Sequence, residues 1–126
     1  MYRYNVTVES TFEAAHFLRT YKGIEEPLHG HTWKVEAEFF SEKLDQDQVS
    51  VDFLPVRAVL HKTAMRLDHS NLNEIPPFND INPSAERVAH WFWEQLLPEV
   101  PKDCTLIAIT VWEGAGQRVR VEKRAK

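Results

Sequence analysis

Two stretches of alternating apolar and polar residues, 2–16 and 28–40, constrain the fold of this 126-residue chain most strongly. The apolar face of the first stretch ends at His16, and that of the second begins with His29 and His31. Successive side chains of a strand point to opposite faces, so each stretch predicts a half-buried β-strand. A chain that begins in this way requires a partner layer to cover the two apolar faces.

The rest of the sequence predicts two helices followed by two more strands. Asp52 is a plausible N-cap for a first helix, whose apolar stripe comprises Phe53, Val56, Leu60, Ala64 and Leu67. A second helix is predicted from Asn82 as cap and Pro83 as first helical residue, ending near Pro98. Strands are predicted over 104–113 and 117–122. The order ββααββ predicts an α+β fold, with two helices on one face of a four-stranded antiparallel sheet.

Composition excludes several classes of protein. Cys104 is the single cysteine, so the sequence predicts neither a disulfide framework nor a multi-cysteine zinc site. A net charge of −4 gives no general basic footprint, so we expect no nucleic-acid partner. No apolar run approaches the roughly 20 residues that cross a bilayer, and no signal-peptide pattern is present, so we expect no membrane contact and a cytoplasmic location. The length predicts one domain spanning residues 1–126.

The three histidines at the ends of the first two strands predict a metal site. Residues two apart lie on the same side of a strand, so His29 and His31 can bind one ion only if the chain is extended there. If the two strands form an antiparallel hairpin, His16 meets them at the same end. Three imidazoles leave a fourth tetrahedral position open, which is typical of catalytic zinc. The alternative is that these are ordinary polar residues near a sheet edge.

Five motifs carry a resemblance to a known family: "FEAAH", "LHGHTW", "RLDHSNLN", "NPSAE" and "VWEG". Together they resemble the 6-pyruvoyl-tetrahydropterin synthase and 6-carboxy-tetrahydropterin synthase family over nearly the whole chain. The resemblance implies the tunnelling fold (T-fold), in which three subunits join their sheets into a barrel and two trimers form a homohexamer. It also implies that His16, His29 and His31 bind Zn²⁺, and that the substrate is a small pterin, 7,8-dihydroneopterin triphosphate.

The same resemblance implies roles for residues outside the histidine cluster. Asp68 and His69 match the family's proton shuttle, in which the carboxylate would orient the imidazole. Glu113 matches the pterin anchor, whose carboxylate could accept two parallel hydrogen bonds from the ring N–H and the amino group. His61 and His90 match no motif and are interpreted as helix-surface residues. Four cations are candidates for the triphosphate site: Arg19, Lys22, Arg118 and Arg120.

The chain departs from the family at the catalytic base. The carboxytetrahydropterin branch has a catalytic cysteine four residues before the first histidine of His-Gly-His, and Glu25 stands there instead. A related subgroup has a glutamate three residues before that histidine, which corresponds to Glu26. Its members are associated with cleavage of the substrate to 6-hydroxymethyl-7,8-dihydropterin, a folate precursor. An unperturbed glutamate has a pKa of about 4.3 against about 8.5 for a cysteine thiol, so the carboxylate is the weaker base unless burial raises its pKa.

These observations predict a zinc-dependent pterin lyase. Glu26 is favoured over Glu25 as the base because Pro27 biases the preceding residue towards an extended conformation. Two alternatives remain open from the sequence. The first is a 6-carboxy- or 6-pyruvoyl-tetrahydropterin synthase that tolerates glutamate at the cysteine position. The second is a catalytically silent paralogue that binds pterin or zinc.

Overall fold

Five strands form one mixed sheet in a computed structural model that describes residues 2–124. The strands are β1 (Tyr4–His16), β2 (His29–Ser41), β3 (Ser70–Asn71), β4 (Thr105–Glu113) and β5 (Arg118–Val121), in the spatial order β3-β1-β2-β4-β5. The helices are α1 (Phe53–Met65) and α2 (Ala85–Leu96), and 3₁₀ turns cover Leu72–Glu74 and Leu97–Glu99. The predicted α+β class is therefore confirmed. Residues 1, 125 and 126 of the predicted domain lie outside the described range.

The sheet has one more strand than predicted, and it is not wholly antiparallel. β3 contains two residues and pairs in parallel with β1, Ser70 opposite Ala14 and Asn71 opposite Ala15. The His69 backbone N–H also donates to the Glu13 carbonyl oxygen at 2.6 Å. Two residues are too few to show an alternating pattern, so only the folded chain reveals this strand.

The predicted first helix cap is correct, and the predicted second cap is wrong. The Asp52 carboxylate accepts a hydrogen bond from the Leu54 N–H at 3.0 Å, as an N-cap does. At α2 the cap is Ser84, whose hydroxyl accepts from the Arg87 N–H. Asn82 cannot cap this helix because its side-chain oxygen accepts from the Arg19 backbone N–H at 2.8 Å. Pro83 consequently precedes the helix.

The core fills the space between the sheet and the two helices. Phe12 and Trp33, opposite each other on β1 and β2, stack with ring centroids 5.8 Å apart, and Phe92 of α2 contacts the Phe12 ring. Trp33 is fully buried, and its indole N–H donates to the Ala14 carbonyl oxygen at 3.1 Å. The predicted stripe of α1 is buried except at its first residue: Phe53 remains 58% exposed and lines a surface pocket. In residues 2–124 no helix has the length and apolar character needed to cross a membrane.

Candidate metal centre

The antiparallel register of β1 and β2 brings the three predicted histidines together. His16 pairs directly with His29, and Ala14 pairs with His31, so the three side chains lie on the core-facing side at one end of the hairpin. The centroid of the His29 ring lies 4.7 Å from that of His16 and 4.8 Å from that of His31. The ring centroids of His16 and His31 are 5.5 Å apart. The His16 ring also contacts Trp33, with centroids 4.8 Å apart. The cluster is therefore a direct extension of the core.

Backbone carbonyls determine which nitrogen two of these imidazoles present to the cluster. His16 Nδ1 lies 2.8 Å from the Pro83 carbonyl oxygen, and His29 Nδ1 lies 2.8 Å from that of Pro27. A carbonyl oxygen can only accept, so Nδ1 carries the hydrogen in both rings and Nε2 keeps its lone pair. Burial lowers the pKa of His16, which favours the neutral, metal-binding form. Both rings are thus held in the tautomer that a metal ligand requires.

Glu113 joins the three imidazoles from the end of β4. Its Oε1 lies 3.2 Å from His31 Nε2 and 3.7 Å from His16 Nε2. The four possible ligand atoms of this group all lie within 4.8 Å of one another. Two of them, His16 Nε2 and His31 Nε2, are buried, and neither makes a hydrogen bond of acceptable geometry with any described residue, Glu113 included.

Two of the distances among these atoms are close to those between ligands around one tetrahedral ion. Bonds of about 2.0–2.1 Å in a tetrahedral site place neighbouring ligand atoms about 3.3–3.5 Å apart. The distances from Glu113 Oε1 to the two imidazole nitrogens, 3.2 and 3.7 Å, lie on either side of that value. Imidazole nitrogens with a carboxylate oxygen are a donor set that suits zinc and similar divalent metals. This part of the structure can therefore hold a metal ion.

The two candidate bases differ in their distance from the cluster. Glu26 Oε1 lies 3.8 Å from His29 Nε2 and accepts a hydrogen bond from the Leu18 N–H at 3.1 Å. Glu25 is exposed and makes no side-chain hydrogen bond or ion pair within residues 2–124. The Leu18 contact turns the Glu26 carboxylate towards the histidines. Of the two, the structure places only Glu26 beside the cluster.

Asp68 and His69 form a hydrogen-bonded pair at the edge of the sheet. Asp68 Oδ2 lies 2.6 Å from His69 Nδ1, and Asp68 Oδ1 accepts from the Glu13 N–H at 2.8 Å. Two contacts lower the pKa of the Asp68 carboxyl: the hydrogen bond from the Glu13 N–H has the larger effect, and the one with the His69 side chain the smaller. The carboxylate therefore remains ionised and orients the imidazole. His69 and His31 line the same open pocket of about 590 Å³. A small molecule in this pocket can approach both side chains.

All four cations predicted for phosphate binding have a contact in the described part of the chain: two bind polar groups and two lie over aromatic rings. The Arg19 guanidinium donates to three backbone carbonyls, Arg118 stacks on the Trp112 ring at 4.7 Å, and Arg120 pairs with Glu38 at 3.2 Å. Lys22 lies over the Tyr21 ring at 5.4 Å.

Two contacts that build the centre, the Pro27 and Pro83 carbonyls, were not predicted. Both are main-chain atoms, which leave no signature in a sequence.

Comparisons with known proteins agree on one family. The family model described as 6-pyruvoyl tetrahydropterin synthase matches residues 5–124. A Pyrococcus furiosus protein named dihydroneopterin monophosphate aldolase is 32% identical over 117 residues, which are 93% of this chain and 96% of that protein. The solved 6-pyruvoyl tetrahydropterin synthase of Caenorhabditis elegans superposes with a TM-score of 0.83 at 18% identity, over 98% of each chain. That of Plasmodium vivax, at 22% identity over 99% of this chain and 100% of that one, has a TM-score of 0.79.

The geometry predicts that His16, His29 and His31 each hold the metal. We expect the purified protein to retain about one divalent metal ion per chain after dialysis, because three imidazoles and one carboxylate bring possible ligand atoms within 4.8 Å of one another. His16→Ala, His29→Ala or His31→Ala should each remove most of it, as measured by elemental analysis. His90→Ala is the matched control, since His90 is half exposed on α2 and pairs with Glu94. Full metal retention in all three variants would disprove the site.

Proposed function

The chain belongs to the 6-pyruvoyl tetrahydropterin synthase family, and on that basis we propose that it is a zinc-dependent pterin lyase. The proposed reaction cleaves the side chain of a 7,8-dihydroneopterin phosphate and releases 6-hydroxymethyl-7,8-dihydropterin. The observation that carries this proposal is the Glu26 carboxylate beside the histidine cluster, 3.8 Å from His29 Nε2. The neighbouring position, at which the carboxytetrahydropterin branch has its catalytic cysteine, is Glu25 in this chain. Cys104, the single thiol of the chain, lines a different pocket from the one that His31 and His69 line. None of the four possible metal ligands lines the pocket of Cys104.

The name of the Pyrococcus furiosus relative supports an aldolase reaction and bears on the substrate. That protein is named for the monophosphate of dihydroneopterin, whereas the family resemblance of the sequence implies the triphosphate. Both phosphates have the same pterin ring and the same side-chain carbons, so the bond that breaks is the same. We propose the monophosphate as the preferred substrate and retain the triphosphate as its competitor in the assay.

Zinc fits the residues present. The buried Nε2 atoms of His16 and His31 have no hydrogen-bond partner in the described part of the chain, and Nδ1 of His16 is occupied by the Pro83 carbonyl. His16, His29 and His31 would hold the ion. A bound zinc ion would act as a Lewis acid that lowers the pKa of a substrate hydroxyl.

The side chains of this protein would then move two protons. Glu26 would remove the proton from the hydroxyl on the second side-chain carbon. As that oxygen forms a carbonyl, the bond between the first and second side-chain carbons breaks and its electron pair moves into the C6–N5 imine of the dihydropterin ring. The second carbon leaves in a short aldehyde that carries the phosphate. A proton relayed by Asp68 and His69 then adds to the first carbon, which completes the hydroxymethyl group.

We propose that Glu113 anchors the pterin ring, as the family resemblance implies. Its carboxylate lies 3.2 Å from His31 Nε2 and would turn away from the imidazoles to accept the ring N–H and the amino group. The carboxylate could instead remain as a fourth metal ligand, because the distances permit that role too. The two roles predict different consequences for the same variant.

We expect Glu113→Gln to raise the KM for the pterin about 10-fold or more with metal content unchanged, because an amide replaces one of two charge-assisted acceptors with a donor. KM comes from steady-state kinetics, and metal content from elemental analysis of the same preparation. Glu36→Gln is the matched control, since Glu36 lies on the other face of β2 and accepts from Trp112 Nε1. Loss of metal from Glu113→Gln would instead assign this carboxylate to the metal.

We propose that the chain assembles as a homohexamer, a dimer of trimers. The described sheet has two short edge strands, β3 of two residues and β5 of four, and one face that carries charged side chains. Open edges are templates for pairing with another chain, and closure into a barrel across subunits would remove them. His69 is exposed and directly precedes the edge strand β3, so pairing of that edge would bring it close to a neighbouring subunit.

Light scattering should therefore give a mass about six times that of one chain, because three subunits close the open edges into a barrel and, as the family resemblance implies, two such trimers stack. One chain has a mass of 14.7 kDa. A mass near that value at the working concentration of the enzyme would show a monomer and contradict the proposed assembly.

The product released from dihydroneopterin phosphate is the decisive test of the proposed function. We expect zinc-loaded protein to release 6-hydroxymethyl-7,8-dihydropterin, identified by chromatography and mass spectrometry. Glu26→Gln should lower turnover about 100-fold or more, because it removes the base while preserving size. Its zinc content should stay intact, and Glu25→Gln is the matched control.

Other products have equally specific meanings. Release of 6-carboxytetrahydropterin or of a pyruvoyl product would replace the lyase with a synthase. Binding of the pterin without turnover would identify a catalytically silent paralogue. Loss of turnover in Glu25→Gln alone would move the base by one residue and leave the lyase in place.

A further inference from the structure

The segment that follows His16 is fastened to a distant loop through Arg19. The Arg19 guanidinium donates to the carbonyl oxygens of Phe78 at 2.7 Å, Ile81 at 2.9 Å and Asn73 at 3.3 Å. These carbonyls belong to a loop that runs from residue 73 to residue 83, between β3 and α2. A planar guanidinium with five donors can satisfy several acceptors at once, which an ammonium group at one point cannot do in the same geometry.

Two asparagines attach the same loop to the same segment. The Asn73 side chain accepts from the Phe17 N–H and donates to the Phe17 carbonyl, both at 2.9 Å. The Asn82 side chain accepts from the Arg19 N–H at 2.8 Å and donates to the Thr20 carbonyl at 3.3 Å. Hydrogen bonds therefore join the loop to residues 17–20 near both of its ends.

This loop ends at the carbonyl that orients a metal ligand. Pro83 directly follows Asn82, and its carbonyl oxygen lies 2.8 Å from Nδ1 of His16. On the other side, Ser84 caps α2 through the Arg87 N–H. The position of the Pro83 carbonyl is thus fixed from the Asn82 side by the Arg19 contacts and from the Ser84 side by the helix.

We propose that Arg19 is a positioning residue for the metal centre. By holding residues 73–83 it places the Pro83 carbonyl so that His16 keeps its hydrogen on Nδ1 and presents Nε2 to the ion. Groups that hydrogen-bond the second nitrogen of a metal-bound histidine fix its tautomer and orientation, and they raise metal affinity. The inference rests on the proposed metal binding. It also removes Arg19 from the candidates for the phosphate site, because its guanidinium is already engaged.

The test compares Arg19→Gln with Arg66→Gln. Arg66 is a matched control because it too makes a hydrogen bond, to Gln95 Oε1 at 2.7 Å, and lies over an aromatic ring, that of Trp91. Two quantities decide the test: the zinc dissociation constant, by competition with a chromophoric chelator, and the His16 tautomer, from imidazole ¹⁵N spectra. Unfolding of the metal-free protein in urea shows whether each variant folds.

We expect Arg19→Gln to weaken zinc binding about 10-fold or more and to give a mixture of His16 tautomers, because the Pro83 carbonyl is no longer held. Arg66→Gln should leave both quantities at their wild-type values. Arg19→Lys should restore part of the affinity, since an ammonium can still donate to one or two of the carbonyls.

An unchanged dissociation constant and a single His16 tautomer in Arg19→Gln would overturn the proposal and leave Arg19 a purely structural residue. If Arg19→Gln does not fold, Asn82→Ala takes its place, because it removes two contacts from the same attachment, and the same two results decide. Failure of the wild-type protein to bind zinc would refute the proposed function. The tautomer in metal-free protein would then still decide whether Arg19 orients His16.

Discussion

The pairing of β1 with β2 is the interaction on which the rest of this structure depends. Thirteen residues of each strand pair without interruption, from Tyr4 opposite Ser41 to His16 opposite His29. A slip of one residue would turn every side chain of one strand to the other face. If β1 slipped in this way, Phe12 would leave the core and its contact with Trp33, and His16 would point away from the other two histidines. One register therefore determines both the packing of the core and the geometry of the candidate metal centre.

The candidate metal centre and the core share residues, so the stability of the core and the geometry of the centre are coupled here. Trp33 stacks on Phe12, donates to the Ala14 carbonyl, and presents its ring to His16 and His31. Truncating a large buried aromatic costs about 3–5 kcal/mol and leaves a cavity. A cavity at Trp33 would also remove the surface that holds two imidazoles in place. A change at this position would thus affect metal binding and folding together.

The sequence predicted the parts of the structure that rest on a repeating pattern, and it missed those whose position depends on a single tertiary contact. Alternation located β1 and β2, and the positions of His16, His29 and His31 on it predicted their convergence. β3 was missed because two residues carry no period. Asn82 and Ser84 are both good helix caps by composition, and only the contact of Asn82 with Arg19 decides between them. The nearness of Glu26 to His29 likewise depends on the Leu18 N–H, which no motif encodes.

The candidate base and the metal ligands belong to different parts of the fold. His16, His29 and His31 lie on paired strands, whereas Glu26 lies in the connection between them, held by its own backbone and side-chain bonds to Leu18. A replacement at Glu26 alters a loop and leaves the strand register untouched. In such a scaffold the candidate base can change while the three histidines keep their positions. Substitutions in this one connection can therefore exchange the candidate base, whereas a change at any of the three histidines falls within the paired strands that also form the core.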